Sequence, residues 1–212
     1  MILINSSPKD ALKIFQPFLP IFVPIGVGYL LAFAQQQNIK VKFIDEQIDD
    51  NVVAKVIEYV KDMQQPYIFA FSVLTASFKS AILVSQELKN LFPDSVVVFG
   101  GIHPTASPEE VLSYKHVDFV IRGEGERELV ELYGCIKENR YFTQVEGLSY
   151  RKDGAIIHNR VSQNPIDLDS LPGFPYHLFK SDRYDLGFVV SSRGCPHRCI
   201  FCRNRVTTGR KY

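Results

Sequence analysis

Five short apolar runs recur along the first part of the chain, and each is nearly continuous rather than alternating with polar residues. They are rich in β-branched and aromatic residues, as expected for strands that are covered on both faces. The runs lie at residues 1–4 (MILI), 41–45 (VKFID), 67–72 (YIFAFS), 96–100 (VVVFG) and 118–123 (DFVIRG). The pattern therefore predicts five strands of a buried sheet.

Amphipathic segments separate these runs and predict helices. The segments lie at about residues 25–37, 52–64, 77–91, 108–114 and 126–138. Ser107, Pro108 and two following glutamates form a typical helix start, with a capping serine and a proline at the first helical position. Strands that alternate with helices predict βαβ units, and hence an α/β fold: a doubly wound (Rossmann-like) five-stranded parallel sheet over residues 1–140.

Polar and glycine residues gather where each predicted strand ends. In a parallel sheet all carboxyl ends lie at one edge, where ligands bind. The segments concerned are 5–7 (NSS), 45–47 (DEQ), 72–75 (SVLT), 100–103 (GGIH) and 122–125 (RGEG). Their order along the chain predicts a ligand site at this edge.

The pattern changes after residue 140. Residues 146–159 predict a small hairpin that turns at Asp153-Gly154, and residues 162–180 show no clear period and are interpreted as a linker. A new strand is predicted at 186–194. The predicted organisation is thus a first domain at 1–140, a hairpin and linker at 141–185, and the start of a further unit at 186–212.

Composition narrows the classes of partner and compartment. The 24 basic residues nearly balance 23 acidic ones, so no nucleic acid or other large polyanion is indicated. The longest apolar stretch, residues 18–34, contains Pro20 and Pro24 and is short for a bilayer span, so no membrane span is predicted. Four cysteines, three of them within eight residues, do not form a disulfide framework, and we expect a cytoplasmic protein.

Three cysteines, Cys195, Cys199 and Cys202, carry the most specific chemical signal. A structural zinc site usually closes with four ligands in paired knuckles, and here only His197 or the distant Cys135 is available as a fourth ligand. Three thiolates on one loop suit a [4Fe–4S] cluster whose fourth iron stays open to a ligand. Zinc remains the alternative.

Two glycine segments lie at predicted strand ends. Gly100-Gly101 permits a sharp turn and close approach of a ligand, and a plain strand-to-helix turn is the alternative. Residues 122–126 (RGEGE) have the form of a phosphate loop, but two glutamates would repel phosphate and suit neutral polar groups better. Helix capping by the glutamates is the alternative there.

Residues 22–126 resemble cobalamin-binding domains, and in particular those joined to radical S-adenosylmethionine enzymes. Ser72-Val73-Leu74 matches the Ser-x-Leu element of that family, and Gly100-Gly101 follows at a similar spacing. The resemblance implies that Ser72 bonds the displaced base of cobalamin and that Gly100 and Gly101 line the channel for its nucleotide tail. The further cofactor contacts that it implies are Leu74, Thr75, His103, Gly123, Glu124 and Gly125.

One position departs from the cobalamin-binding pattern. The family's Asp-x-His-x-x-Gly loop aligns with residues 45–50 (DEQIDD), which places Gln47 at the histidine and Asp50 at the glycine. An amide is a poor substitute for imidazole as a cobalt ligand. We therefore expect base-off cobalamin with no protein nitrogen on cobalt.

The cysteine segment, RGCPHRCIFC, resembles the signature of radical S-adenosylmethionine enzymes, with Phe201 as the aromatic before the last cysteine. The resemblance implies a [4Fe–4S] cluster that binds S-adenosylmethionine and cleaves it to a 5′-deoxyadenosyl radical. It also implies a reduced ferredoxin or flavodoxin as electron donor and a small-molecule substrate. Phe201 would shield the cluster or contact a ligand, and Arg193, Arg198 and Arg203 would offset the thiolate charge.

Together, the two resemblances imply the N-terminal part of a cobalamin-dependent radical enzyme that transfers methyl groups or carries out a related C–C or C–P transformation. Because residues 186–212 do not complete a barrel, we expect a part of a longer protein, inactive by itself. The alternatives are a stand-alone cobalamin carrier without catalysis and an α/β domain that binds a nucleotide instead. The substrate and the oligomeric state are not encoded in these residues.

Overall fold

A computed structural model describes residues 1–8, 20–162, 166–179, 182–197 and 199–202. Its strands are β1 (Ile2–Asn5), β2 (Lys42–Asp45), β3 (Ile68–Ser72), β4 (Val96–Gly100), β5 (Phe119–Ile121), β6 (Leu148–Lys152) and β7 (Ala155–His158). The five predicted strands are confirmed as β1 to β5. They pair in parallel in the order β2-β1-β3-β4-β5, so the doubly wound fold is confirmed as well.

Six helices of the described residues accompany the sheet. They are α1 (Ile25–Gln36), α2 (Val52–Val60), α3 (Phe78–Leu91), α4 (Ile102–Ala106), α5 (Pro108–Ser113) and α6 (Glu126–Lys137). Five match predicted segments, although α2 ends four residues earlier than predicted and α3 begins after a 3-10 turn at Thr75–Ser77. The short α4 was not predicted, because residues 102–106 are too few to show a helical period.

Side chains of successive strand residues enter different cores on the two faces of the sheet. On β3, Phe69 and Phe71 pack among the residues of α2, α3 and α5, whereas Ala70 faces α1 and α6. The same alternation places Leu3 and Val98 on the face of α1 and α6. Because Ala70 is small, this face leaves more room near the carboxyl ends of the strands than the aromatic face does.

The predicted hairpin is present and extends the sheet to seven strands. β6 pairs antiparallel with β5, and β7 pairs antiparallel with β6. The turn residues Asp153 and Gly154 both have positive φ, at 49° and 80°, as a two-residue hairpin turn requires. The sheet is therefore mixed, and the hairpin covers the edge of the short strand β5. The domain limits at residues 140 and 185 stay predictions.

The segment interpreted as a linker packs against the domain instead of leaving it. Phe179 and Tyr184 are buried in the core of α1 and α6, and Phe174 fills the space beside Gly28 on α1. The hydroxyl of Tyr184 donates to Asp45 Oδ2 at 2.9 Å. Residues 166–179 thus form a strap over α1, which contains two short 3-10 turns at Leu168–Ser170 and Tyr176–Leu178.

Residues 186–194, predicted as a strand, do not form one. Within the described residues, the only bridge near this segment joins Asp185 to Phe22. Val189 is 85% exposed, because no described strand lies beside it to complete a ladder. In the part of the chain that the structure describes, none of the helices has the length and apolarity that crossing a bilayer requires.

Candidate functional site

A cavity of about 390 Å³ opens at the carboxyl ends of the strands, between the sheet and helices α1 and α6. This is the edge that the sequence predicted for a ligand. The described residues that line it are Leu3, Ile25, Gly26, Tyr29, Leu30, Ala70, Phe71, Ser72, Val98, Gly100, Gly101, Ile121, Gly123, Glu124, Gly125, Glu126, Leu129, Val190 and Arg193. Its wall is mostly apolar, with a few polar groups at one side, as is usual for sites that bind organic ligands.

Small residues make the room for this cavity. Ala70 faces it while its neighbours on β3 point to the other side of the sheet. Gly100 ends β4, and a Cβ added there would meet no atom nearer than the carbonyl oxygen of Ile121 at 3.8 Å. These small residues leave open space between α1 and the carboxyl ends of the strands.

Gly101 is required by the fold itself. Its φ of 102° and ψ of −168° belong to a region that is nearly restricted to glycine. A Cβ at this position would lie 2.8 Å from the carbonyl oxygen and 2.9 Å from the nitrogen of Val73. The close approach predicted for this glycine pair is therefore an approach to the chain after β3, which holds the end of that strand beside β4.

The loop that contains the RGEGE residues forms the polar side of the cavity. Glu126 starts α6 and is only 4% exposed, and its Oε1 accepts a hydrogen bond from Arg193 Nη2 at 2.6 Å. Glu124 Oε1 lies 3.6 Å from Arg193 Nη1, and Glu124 Oε2 accepts the backbone N–H of Ile166 at 3.0 Å. Glu126 occupies the first helical turn, where a carboxylate is favoured by the helix dipole.

Burial and neighbouring charges shift the pKa values of Arg193 and Glu128, which lie beside this loop. Burial by itself would lower the pKa of Arg193, but the hydrogen bond to Glu126 and the charges of both glutamates raise it above its ordinary value. Burial raises the pKa of Glu128 to about 7, and the charges of Glu126 and Glu124 act in the same direction. The guanidinium of Arg193 also lies 5.2 Å from the ring centre of Tyr29 on α1.

The structure brings together six of the residues predicted to contact a cofactor and separates four others from them. Ser72, Gly100, Gly101, Gly123, Glu124 and Gly125 line the cavity. Leu74, Thr75, His103 and Phe201 do not line it. Leu74 and Thr75 enter the 3-10 turn and are exposed, and Phe201 is 88% exposed because its loop packs on no described element.

His103 lies elsewhere because it belongs to a helix and not to a loop. Helix α4 turns its ring against Phe78, with ring centres 4.1 Å apart, and the residue is buried. Among the described residues its Nε2 finds no hydrogen-bond partner, and Glu110 Oε2 lies 3.7 Å from it. The imidazole therefore fills space behind the cavity wall.

Gln47 stands where the family has its histidine, and its side chain forms hydrogen bonds within the chain. Its Nε2 donates to the carbonyl oxygen of Phe22 and to Asp45 Oδ2, each at 3.1 Å. Asp45 is buried, which raises its pKa, while hydrogen bonds from Asn5, Gln47 and Tyr184 oppose that rise. The amide thus joins the loop after β2 to the chain at Phe22, and it does not line the cavity.

The three clustered cysteines do not converge in this structure. Cys195 is half-buried, whereas Cys199 and Cys202 are exposed. The N–H of Cys202 donates to the carbonyl oxygen of Cys199 at 3.2 Å, and Gly194 has a φ of 94° at the start of the loop. The described residues contain no group of three or more Cys, His, Asp or Glu side chains placed to hold a metal ion.

Two other described residues that the sequence suggested, one as a metal ligand and one as a charge near the thiolates, do not join the cysteine loop either. Cys135 on α6 is buried in the core, and its thiol donates to the carbonyl oxygen of Tyr141. Arg193, predicted to offset the thiolate charge, is instead paired with Glu124 and Glu126. Arg198 and Arg203 lie outside the described residues.

Sequence reasoning missed the part of the cavity wall that comes from α1, α6 and the segment before the cysteines. Tyr29 and Leu30 on α1, Leu129 on α6, and Val190 were not predicted. The only local signal on α1 is the small residue Gly26 near its start. The other contributions depend on packing between segments that are far apart along the chain.

The cavity suits the nucleotide tail of cobalamin better than a compact polar ligand. It has apolar walls for a planar base, a serine at the end of β3, and glycines where bulkier residues would block the entrance. Ser72, Gly100 and Gly101, for which the resemblance implies cofactor contacts, all line the cavity. The residues present therefore fit the cofactor that the sequence suggested.

Comparison with known proteins supports this interpretation. Residues 15–133 match the family model described as B12 binding domain. The chain is 29% identical over 195 residues to an uncharacterized methyltransferase of Pyrococcus horikoshii, covering 89% of this chain and 42% of that protein. It is 28% identical over 194 residues to the cobalamin-dependent radical SAM methyltransferase TokK of Streptomyces tokunonensis, covering 85% of this chain and 28% of TokK.

A solved structure shares this fold. It is the radical S-adenosylmethionine methyltransferase TsrM from Kitasatospora setae, solved with cobalamin and a [4Fe–4S] cluster bound. The TM-score is 0.67 at 16% identity, and the match covers 100% of this chain and 43% of TsrM. The chain thus spans less than half the length of each of these three proteins.

Proposed function

This chain belongs to the B12-binding domain family, and we propose that it binds cobalamin in the cavity between the sheet, α1 and α6. The observation that supports the proposal most directly is the cavity itself, lined by Ser72, Gly100 and Gly101 at the carboxyl ends of β3 and β4. The sequence is related to cobalamin-dependent radical SAM enzymes. We further propose that the chain is the N-terminal part of such an enzyme.

Each part of the cavity would have a separate task in holding the cofactor. Leu3, Ala70 and Val98 would bury the base of the nucleotide tail and exclude water from it. The hydroxyl of Ser72 would hydrogen-bond to that base, and the glycine pair would let the tail pass close to the backbone. Gln47 would not bind cobalt through nitrogen, because an amide nitrogen is a poor ligand and because its N–H groups hold it on Phe22 and Asp45, outside the cavity wall. We therefore propose the base-off form without a protein nitrogen ligand.

The cysteine loop would supply the second cofactor. We propose that Cys195, Cys199 and Cys202 bind three irons of a [4Fe–4S] cluster, and that the loop closes around the metal when the cluster is assembled. The spacing of the thiols supports this assignment, and their present separation requires that closure. The bound cluster and S-adenosylmethionine would supply radical chemistry, and cobalamin would supply methyl transfer or tune a related radical step.

For the whole reaction we propose only the reaction class. A small-molecule substrate would be methylated or would undergo a related C–C or C–P transformation, with electrons from a reduced ferredoxin or flavodoxin. A cytoplasmic location belongs to the same proposal, because exposed thiols such as Cys199 and Cys202 persist in a reducing compartment. Specificity for the substrate would depend on residues beyond this cavity.

A second candidate function is a cobalamin carrier without catalysis. It is favoured by one observation, namely that the cysteines of the described residues form no metal-holding group. A carrier would retain cobalt and would not retain iron. The two functions therefore differ in a quantity that can be measured on the same sample.

The experiment is an anaerobic titration with hydroxocobalamin, followed by reconstitution with iron and sulfide. Ser72→Leu should weaken cobalamin binding at least about tenfold, because a branched apolar side chain replaces the hydroxyl in the cavity wall. Leu83→Gln is the control, since Leu83 is exposed on α3 across the sheet from the cavity.

The iron content separates the enzyme from the carrier. The radical enzyme predicts about four irons per chain, which Cys199→Ala should remove. Cobalt retention without iron in the reconstituted chain would favour the carrier. Equal cobalamin affinity in Ser72→Leu and the wild type would contradict the assignment of the cavity.

A further inference from the structure

The chain that leads into the cysteine loop is attached to the α/β domain at several points. At residue 185 the backbone N–H of Asp185 donates to the carbonyl oxygen of Ile21 at 2.8 Å. Three residues later, the ring of Phe188 packs edge-on against Phe22, with ring centres 5.0 Å apart. The segment then reaches the cavity, where Val190 contributes to the wall.

The last attachment before the cysteines is made by Arg193. Its Nη2 donates to Glu126 Oε1 at 2.6 Å, and its Nη1 lies 3.6 Å from Glu124 Oε1. On its other side the guanidinium lies over the ring of Tyr29. The side chain thus joins the cysteine segment to the glycine loop of α6 and to α1, both of which are walls of the cavity.

We propose that Arg193 is a positioning residue that fixes where the cysteine loop leaves the cofactor domain. Gly194 follows with a φ of 94°, so the chain turns away directly after the arginine, and Cys195 comes next. This side chain is therefore the last contact that fixes the chain relative to the cavity before the loop begins. We name the contact among Arg193, Glu124 and Glu126 the arginine clamp.

The chemistry of the arginine clamp explains why the three side chains keep one geometry. A guanidinium presents several N–H groups in a fixed plane and can serve two carboxylates at once, which an ammonium group does less well. Glu126 is almost fully buried, so releasing Arg193 would leave a buried carboxylate without its cation. The stack on Tyr29 restricts the plane of the guanidinium further.

The role of the clamp in catalysis rests on the function proposed above. If the cavity holds cobalamin and the cysteines hold the cluster, the clamp is a direct link between the two cofactor sites. The contact itself is a property of the cofactor-free chain. It can therefore be tested without cobalt, iron or substrate.

The test measures how fast each cysteine reacts with iodoacetamide in the reduced, cofactor-free chain, with peptide mass spectrometry to separate the sites. Arg193→Gln and Glu126→Gln each remove one partner of the clamp. Circular dichroism and the urea midpoint show that both variants are folded. The two substitutions change the local charge in opposite directions, so an electrostatic effect on the thiol would have opposite signs in them.

The clamp predicts the same result for both variants. Cys195 should react about three- to tenfold faster than in the wild type, because local opening exposes it, while the exposed Cys202 should react at an unchanged rate. The double variant should match Arg193→Gln, since that substitution already removes every contact of the clamp. Arg193→Lys should restore part of the protection.

The control is Arg183→Gln, because Arg183 donates to the carbonyl oxygen of Ile48 at the surface and contacts none of the described residues of the clamp, so it should not alter the labelling of Cys195. Opposite changes in the two clamp variants, or unchanged labelling of Cys195 in both, would overturn the proposal. Failure of the chain to retain cobalt would overturn the proposed function and would leave the clamp in place. The two failures are therefore distinguishable.

Discussion

Replacing Gly101 by alanine tests whether the glycine pair is a structural requirement, a ligand channel, or both. The φ of 102° at Gly101 is rarely adopted by residues that carry a Cβ. An added Cβ would also lie within 2.9 Å of two backbone atoms of Val73, which is fully buried. Those atoms belong to the strand end that pairs with Gly100, so they can move only if β3 and β4 separate locally.

The two costs can be estimated separately. Holding a non-glycine residue in this backbone region costs about 1–3 kcal/mol. Forcing a methyl group against a packed backbone adds about 1–3 kcal/mol. The free energy of unfolding should therefore fall by about 2–6 kcal/mol, which corresponds to about 5–20 °C in melting temperature for a chain of this size. That loss is a large part of a typical total stability.

The assay is urea unfolding followed by far-UV circular dichroism, and the adjacent glycine provides the matched control. Gly100 has no positive φ among the described values, and its Cβ would meet nothing closer than 3.8 Å. Gly100→Ala should therefore change stability by less than about 1 kcal/mol. Equal losses in the two variants, or an unchanged midpoint for Gly101→Ala, would refute the reasoning.

Three further predictions concern groups around the cavity and the hairpin. Because the pKa of Glu128 is raised to about 7, the native chain keeps a proton that the unfolded chain has lost, and stability should fall as pH rises from about 4.5 to 7. Glu128→Gln should flatten this decline by up to about 3 kcal/mol in urea unfolding at several pH values, and parallel profiles would contradict the assignment. Tyr184→Phe removes a donor from the buried Asp45 and should cost about 1–2 kcal/mol, whereas Tyr176→Phe, at a half-exposed site, should cost less than about 0.5 kcal/mol. Arg151 donates to four backbone carbonyls, one in the last turn of α5 and three after it, and its replacement by glutamine should cost about 2 kcal/mol; a loss below about 0.5 kcal/mol would show that those bonds are replaced by water.

The parallel core was predictable because each strand is a short run of buried residues. In β3 the side chains of IFAFS alternate between the helices on the two sides of the sheet. Because both sides are apolar, the run of apolar residues is continuous, which is typical of a strand buried on both faces. Glycine and polar residues at the strand ends likewise indicated the edge that carries the cavity. Order along the chain was sufficient for that conclusion, since parallel strands share one carboxyl edge.

The place of the hairpin could not be predicted from local pattern. Its turn residues could be recognised in the sequence. Whether β6 pairs with a further strand, however, depends on which edge strand of the sheet has no partner. β5 has only three residues, and Ile121 finds its antiparallel partner in Leu148, 27 positions later in the numbering. The apolar residues of β6 are buried by that pairing, which periodicity alone does not distinguish from an isolated hairpin.

The side chains that complete the site were the least predictable part. Arg193 lies next to the cysteines in sequence, so offsetting thiolate charge was a reasonable expectation. Its actual partners, Glu124 and Glu126, are found through the fold and not through proximity in sequence. His103 shows the opposite error, because a short unpredicted helix carries it away from the cavity and onto Phe78.

The most direct test of the account is the cobalt content and spectrum of the full chain after anaerobic incubation with hydroxocobalamin and removal of the excess cofactor. The account predicts about one cobalt per chain, and a base-off spectrum without a nitrogen ligand from the protein, because Gln47 is bonded to Phe22 and Asp45. A chain that retains no cobalt would contradict the assignment of the cavity. Retained cobalt with a protein nitrogen ligand would contradict the role given to Gln47.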